Sequence, residues 1–155
     1  MKPRLNAYQA APAVMKAMMA LESQAAGSGL EPALMELVKI RASQINGCAF
    51  CLHMHTRDAR AKDEKEERIY LLDAWRESPL YSERERAALA WTEAVTLVSQ
   101  THVPDDVYEQ ARAEFSEEEL VKLTLLITTI NAWNRFAIGF RSVHPVDVKA
   151  QSNAA

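Results

Sequence analysis

The chain has 155 residues, 48% hydrophobic and 25% charged, with a formal net charge of -3. This is an ordinary globular mix, long enough to bury a core without disulfide staples, so residues 1–155 read as a single soluble domain. No basic patch or Lys/Arg run is present, which argues against a nucleic-acid partner.

Neither the opening residues, Met1 to Asn6, nor the most apolar stretch, Leu123 to Trp133, is long and apolar enough for a signal peptide or a membrane span. The expected compartment is therefore the cytoplasm, where thiols stay reduced. There, two cysteines spaced Cys-x-x-Cys read as redox or metal chemistry rather than as a structural staple.

Four glycines and six prolines leave the chain little punctuated, and the pattern predicts an all-α bundle of about seven helices. Pro12 opens the first, which carries Met15, Met18 and Met19 as packing residues and ends near Gly27 to Gly29. Pro32 opens the second, with Leu34, Leu37, Val38 and Ile45 as its apolar stripe, and Asn46-Gly47 stops it. The third begins near Cys48 and runs to about Ala61. The fourth spans about Glu64 to Trp75, before Ser78-Pro79. Ser82 to Glu85 is a capping-box pattern that starts a fifth helix of about 20 residues through Val98. Pro104 starts a short sixth. Ser116 to Glu119 is a second capping box and opens the seventh. That helix is apolar on more than one face, which suits a core or a subunit interface and predicts a homo-oligomer. Residues from about Lys149 are small and polar and read as a frayed tail. Trp75, Trp91 and Trp133 sit among aliphatics at helical spacing and read as core.

Chemistry concentrates on the third helix. Cys48, Cys51 and His55 stand at i, i+3 and i+7, on one face with Leu52 and Ala59. His53 points the other way, with Arg57 and Arg60. A cysteine in the first turn meets the positive end of the helix dipole, which favours its thiolate. A histidine one turn on can take a thiol proton. The dipole favours Cys48; the i, i+4 pairing with His55 favours Cys51, which is expected to attack, with Cys48 resolving the product to a disulfide. Glu36 lies ten residues before Asn46, on the preceding helix. If the two helices pack antiparallel, it comes to about the height of His55 at roughly 1.5 Å rise per residue. Periodicity alone turns Glu36 away from the apolar stripe, toward solvent.

Glu36, eleven residues, Cys48-Ala49-Phe50-Cys51, three residues and His55 together resemble the active-site signature of the AhpD-like alkylhydroperoxidases, in the carboxymuconolactone decarboxylase superfamily. Ile130 to Arg135 is similar to a stretch common there, and the likeness spans roughly residues 30 to 140. It implies an all-helical oligomer whose cysteines cycle between dithiol and disulfide while reducing peroxides, with Glu36 and His55 relaying protons. It also implies a dithiol or lipoyl-type electron donor, a peroxiredoxin as a further partner, and no cofactor. Well-known members carry a second histidine between the cysteines, where this chain has Phe50, which implies a shorter relay or another substrate. The superfamily's decarboxylases lack the cysteine pair.

Two rival functions remain open at this level: a disulfide reductase or electron adaptor for a peroxiredoxin, and a non-catalytic helical oligomer with a redox- or zinc-sensitive site. Zinc would take Cys48, Cys51, His55 and Glu36. Haem attachment is excluded, because Leu52 stands where Cys-x-x-Cys-His needs histidine.

Overall fold

The computed structural model describes residues 2–145, and the expected tail from Lys149 lies outside them. Among the described residues the chain is all helical: α1 (Ala7–Ala10), α2 (Pro12–Ala26), α3 (Pro32–Asn46), α4 (Ala49–Ala61), α5 (Glu66–Tyr70), α6 (Glu83–Thr96), α7 (Val98–Thr101), α8 (Asp105–Glu114) and α9 (Glu117–Phe140). A 3-10 turn, Leu72–Ala74, follows α5.

The differences from the expected helices have local causes. The Asn6 side chain accepts the N–H groups of Tyr8 and Gln9 and caps a short helix that precedes the one opened by Pro12. The Tyr81 hydroxyl donates to the Arg68 carbonyl, which a continuing helix would have used, so the fourth expected helix breaks into α5 and the 3-10 turn. The Thr101 hydroxyl likewise donates to Ala94 O at 2.7 Å, and the fifth splits at Leu97 into α6 and α7. Both capping boxes form in full, Ser82 with Glu85 and Ser116 with Glu119, each worth about 1 kcal/mol.

Helix α3 runs through the middle, packed by α4, α6 and α9. Every residue from Leu34 to Ile40 is buried. Leu37 and Ile40 are fully enclosed, and each contributes roughly 1.5–3 kcal/mol by burial. A helix enclosed on all sides has no solvent face, so its polar residues Glu36, Lys39 and Ser43 are drawn into the interior and must find partners there. At its C-terminus Gly47 adopts φ +67°, a left-handed conformation that glycine takes at no steric cost. The Cys48 N–H then returns to Ser43 O at 3.0 Å, and α4 starts back along α3.

Helix α9 spans about 36 Å at 1.5 Å per residue, and its buried face carries Thr129, Asn131 and Asn134 among the aliphatics. The N-terminal arm crosses its far end. The Arg4 N–H donates to Phe140 O at 3.0 Å and Arg4 Nη1 to Gly139 O at 2.9 Å.

Candidate active site

The α3–α4 turn makes Cys48 the N-cap of α4, and its sulfur accepts the Cys51 N–H at 3.4 Å. Cys51, in the first turn, brings its sulfur to 2.6 Å from that of Cys48. Both are thiols, and both are almost fully buried. Ala42, Ile130 and the edges of Phe50, Trp133 and Ala137 pack around them.

One turn further along α4, His55 Nδ1 lies 3.0 Å from Glu36 Oε2. Lys62, at the C-terminal end of α4, donates from Nζ to Glu36 Oε1 at 2.7 Å. Burial pushes the Glu36 carboxyl up, but the hydrogen bonds from His55 and Lys62 and the charge of Lys39 outweigh it and hold its pKa at about 2. An ionised carboxylate only accepts hydrogen bonds. Nδ1 of His55 therefore carries a hydrogen toward Glu36, and in the neutral ring Nε2 is left as the acceptor. The antiparallel packing of α3 and α4 brings Glu36 beside His55. The outward orientation suggested by periodicity is overturned, because Glu36 is 4% exposed.

The thiols are not equivalent. The hydrogen bond from the Cys51 thiol lowers the Cys48 pKa to about 7 against the opposing effect of burial, with the N–H groups of Cys51 and Phe50 and the Asn134 side chain assisting. Cys51 moves the other way, raised by donating to Cys48, by burial and by the Cys48 charge. Of the two thiols, Cys48 is thus the more readily ionised. Access favours Cys51, which lines a cavity of about 680 Å3 with His55, whereas Cys48 is not part of that wall. Among the described residues no direct hydrogen bond joins Cys51 to His55, so the expected i, i+4 pairing is a shared wall rather than a contact.

Behind the thiols lies a polar network whose members had no site role assigned from the sequence. Asn46 Nδ2 donates to Asn134 Oδ1 at 2.8 Å and to Asn131 Oδ1 at 3.0 Å. Asn134 Nδ2 donates to Ser43 Oγ at 3.1 Å. The only signal for Asn131 and Asn134 was their place in the segment Ile130 to Arg135. Lys62, Lys39 and Glu22 had none, since each joins the site by a contact across helices. Trp133 is half-buried at the cavity wall and Met19 is exposed there, where both had read as packing residues. Trp75 and Trp91 are core as expected. His53 lies outside the site, stacked on His144 at 4.6 Å.

The four residues considered for zinc do not gather their ligand atoms. Among the described residues, the cluster within 4.8 Å is Glu36, His55 and Asp58, without either cysteine. One Glu36 oxygen in that cluster already holds the Lys62 ammonium.

Residues 12–94 match the model of the carboxymuconolactone decarboxylase family. The chain is 47% identical to the uncharacterised protein YdfG of Bacillus subtilis, over 89% of this chain and 94% of that one. A solved protein of unknown function from Agrobacterium tumefaciens, described in terms of antioxidant defence and AhpD, superposes with a TM-score of 0.92 at 52% identity, covering 94% of this chain and all of that one. The AhpD core of a peroxidase-related protein from Ralstonia eutropha shares the fold, with a TM-score of 0.78 at 19% identity over 89% of this chain and 74% of that one.

Proposed function

Because the chain belongs to the carboxymuconolactone decarboxylase family and has the AhpD-like fold, we propose that it is a thiol-dependent peroxidase working through a Cys48/Cys51 dithiol–disulfide cycle. The observation that carries this reading is the pair of sulfurs 2.6 Å apart, one of them on the wall of a cavity that His55 also lines.

A hydroperoxide enters the cavity and meets Cys51. The proton between the two sulfurs passes to Cys48, and the Cys51 thiolate attacks the terminal peroxide oxygen. The S–O bond forms, the O–O bond breaks, and Cys51 becomes a sulfenic acid. The Cys48 proton is relayed through Nε2 of His55 to the leaving alkoxide, which departs as the alcohol. Cys48, again a thiolate, attacks the Cys51 sulfur. The S–S bond forms, the S–O bond breaks, and the departing hydroxide takes a proton from solvent, the one lost when the resting Cys48 ionised, and leaves as water. Overall, two thiols and one hydroperoxide give one disulfide, one alcohol and one water. Glu36 keeps His55 in the tautomer that relays through Nε2, and Lys62 holds Glu36.

The oxidised pair is returned to the dithiol by a small dithiol or a lipoyl-type arm. The burial of both sulfurs, 1% and 2% exposed, disfavours direct exchange with a folded protein's disulfide. A peroxiredoxin partner would therefore be served through such an arm. The test is hydroperoxide consumption coupled to a dithiol donor: turnover by the wild type and none by Cys51→Ser is expected. Equal rates for both proteins contradict the proposal.

A further inference from the structure

Hydrogen peroxide is little larger than a water, whose share of liquid volume is about 30 Å3. The cavity beside Cys51 is about 680 Å3, within the range of sites that enclose a whole organic ligand. Its walls are mostly apolar. Trp133, Phe136 and Phe140 line it as a ladder on α9, with ring centroids 6.5 and 5.9 Å apart and tilted near 60°. Such edges and faces suit another aromatic ring. Met15, Met19 and Met54 complete the wall with adaptable side chains.

The charges on the wall are equally specific. Among the described residues, Lys39 is the only lysine or arginine lining the cavity. Its ammonium is 3.5 Å from Glu22 Oε1, and its field also acts on Glu36. Glu22 in turn accepts the indole N–H of Trp133 at 2.9 Å. Asp58, on the same wall, has no ion-pair partner among the described residues. A carboxylate entering here would find one cation already shared by two carboxylates and would face a third. An unpaired charge brought into an apolar site is strongly disfavoured.

We propose that this cavity is a binding site for an uncharged organic hydroperoxide with a bulky, aromatic body, and that it rejects anionic hydroperoxides of the same shape. The site would seat the peroxide end toward Cys51 and His55 and the ring against Phe136. As a choice of substrate, this rests on the peroxidase reading; as a choice of ligand, it does not.

The test therefore begins with binding alone. The probe is 2-phenylpropan-2-ol, the alcohol left by cumene hydroperoxide, titrated into the full chain carrying 13C-methyl methionine. Its comparator has the same shape with a para carboxylate. The neutral alcohol should shift the Met19 and Met54 methyl signals saturably and bind at least about ten times tighter than the carboxylate. Ala137→Phe fills the cavity and Met19→Trp, at an exposed rim position, narrows it; each should weaken the alcohol's binding about tenfold with the helical spectrum unchanged. Absence of saturable shifts, equal or tighter binding of the carboxylate, or shifts that follow protein concentration instead of ligand would overturn the proposal. The last result would mark the cavity as a contact between copies. Selective binding without peroxide turnover would sink the peroxidase reading and leave the ligand class standing. Turnover of hydrogen peroxide without binding of the alcohol would do the reverse.

Discussion

Glu36 on α3 and His55 on α4 meet across the helix pair, carboxylate oxygen to ring nitrogen at 3.0 Å, although 19 residues separate them in the chain. The pair fixes which ring nitrogen of His55 is free for chemistry. His55→Ala should slow peroxide reduction at pH 7, by about 100-fold on the usual scale of general acid–base losses. Glu36→Gln keeps a partner for Nδ1 but can also present an amide N–H to it. Its loss should be smaller. Stopped-flow kinetics under single-turnover conditions measures both. Equal rates for wild type and His55→Ala would remove the histidine from the mechanism.

The thiol pair should titrate unevenly. The Cys48 pKa is lowered to about 7 because Cys51 donates to it, so thiolate absorbance at 240 nm should rise through pH 7 and correspond to one sulfur. Cys51→Ala removes the donor and should move that titration upward. Cys51→Ser leaves a hydroxyl that can donate, and should move it less. A titration unchanged in Cys51→Ala would show that Cys51 is not the cause.

Glu36 also ties stability to pH. Its folded pKa of about 2 lies below the usual 4.5. A carboxyl depressed in the folded state stabilises it above the unfolded pKa, and that contribution fades as pH falls from about 4.5 toward 2. It amounts to about 3 kcal/mol at neutral pH. Lys62→Met removes one partner of the carboxylate and should shrink the acid-dependent loss. Chemical denaturation of both proteins between pH 3 and pH 7 reads it, and parallel curves would contradict the role given to Lys62.

Asn134 is fully buried, and its amide both accepts and donates in the network behind the thiols. Asn134→Leu leaves the Ser43 hydroxyl short of its partner, at about 1–3 kcal/mol, whereas Asn46 Nδ2 keeps Ala42 O and Asn131 Oδ1. Thermal melting should show a loss of this size. Because Asn134 also lowers the Cys48 pKa, the thiolate titration should move upward in the same variant. A stability loss with an unmoved titration would confine Asn134 to packing.

Val121, 70% exposed on α9, lines a surface groove with Tyr108 of α8, and Ile138 is a further exposed apolar residue on α9. Apolar side chains on this scale suit a contact between copies. Light scattering at micromolar concentration should give a multiple of 17.4 kDa, and Val121→Asp should reduce it. A mass of one chain for the wild type would contradict the oligomer.

Much of this architecture was legible in the sequence because its signals are local. Pro12 and Pro32 open helices at fixed positions, Ser82 and Ser116 cap with a glutamate three residues on, and Gly47 ends α3 in a left-handed turn. The grouping of Cys48, Cys51 and His55 follows from the geometry of one helix. What was not legible depends on contacts between helices. The α6–α7 break rests on one threonine hydroxyl that takes a carbonyl seven residues back. By periodicity alone Glu36 read as outward, because a stripe of Leu34 and Val38 implies an opposite solvent face, whereas every residue from Leu34 to Ile40 is buried; the antiparallel-helix argument and the family signature were what set it beside His55. Lys62 and Asn134 reach the site from 26 and 91 residues beyond their partners Glu36 and Ser43, a separation that no periodicity reports.

The central claim is that peroxide oxidises Cys48 and Cys51 to each other, and mass spectrometry of the intact chain tests it most directly. One equivalent of cumene hydroperoxide added to the reduced protein should lower the mass by two hydrogens, remove both free thiols and release one equivalent of alcohol. A dithiol should then restore the mass and the thiol count. Cys48→Ser should instead gain one oxygen, as a sulfenic acid on Cys51. Two free thiols and an unchanged mass after the peroxide has been given time to react would contradict the account.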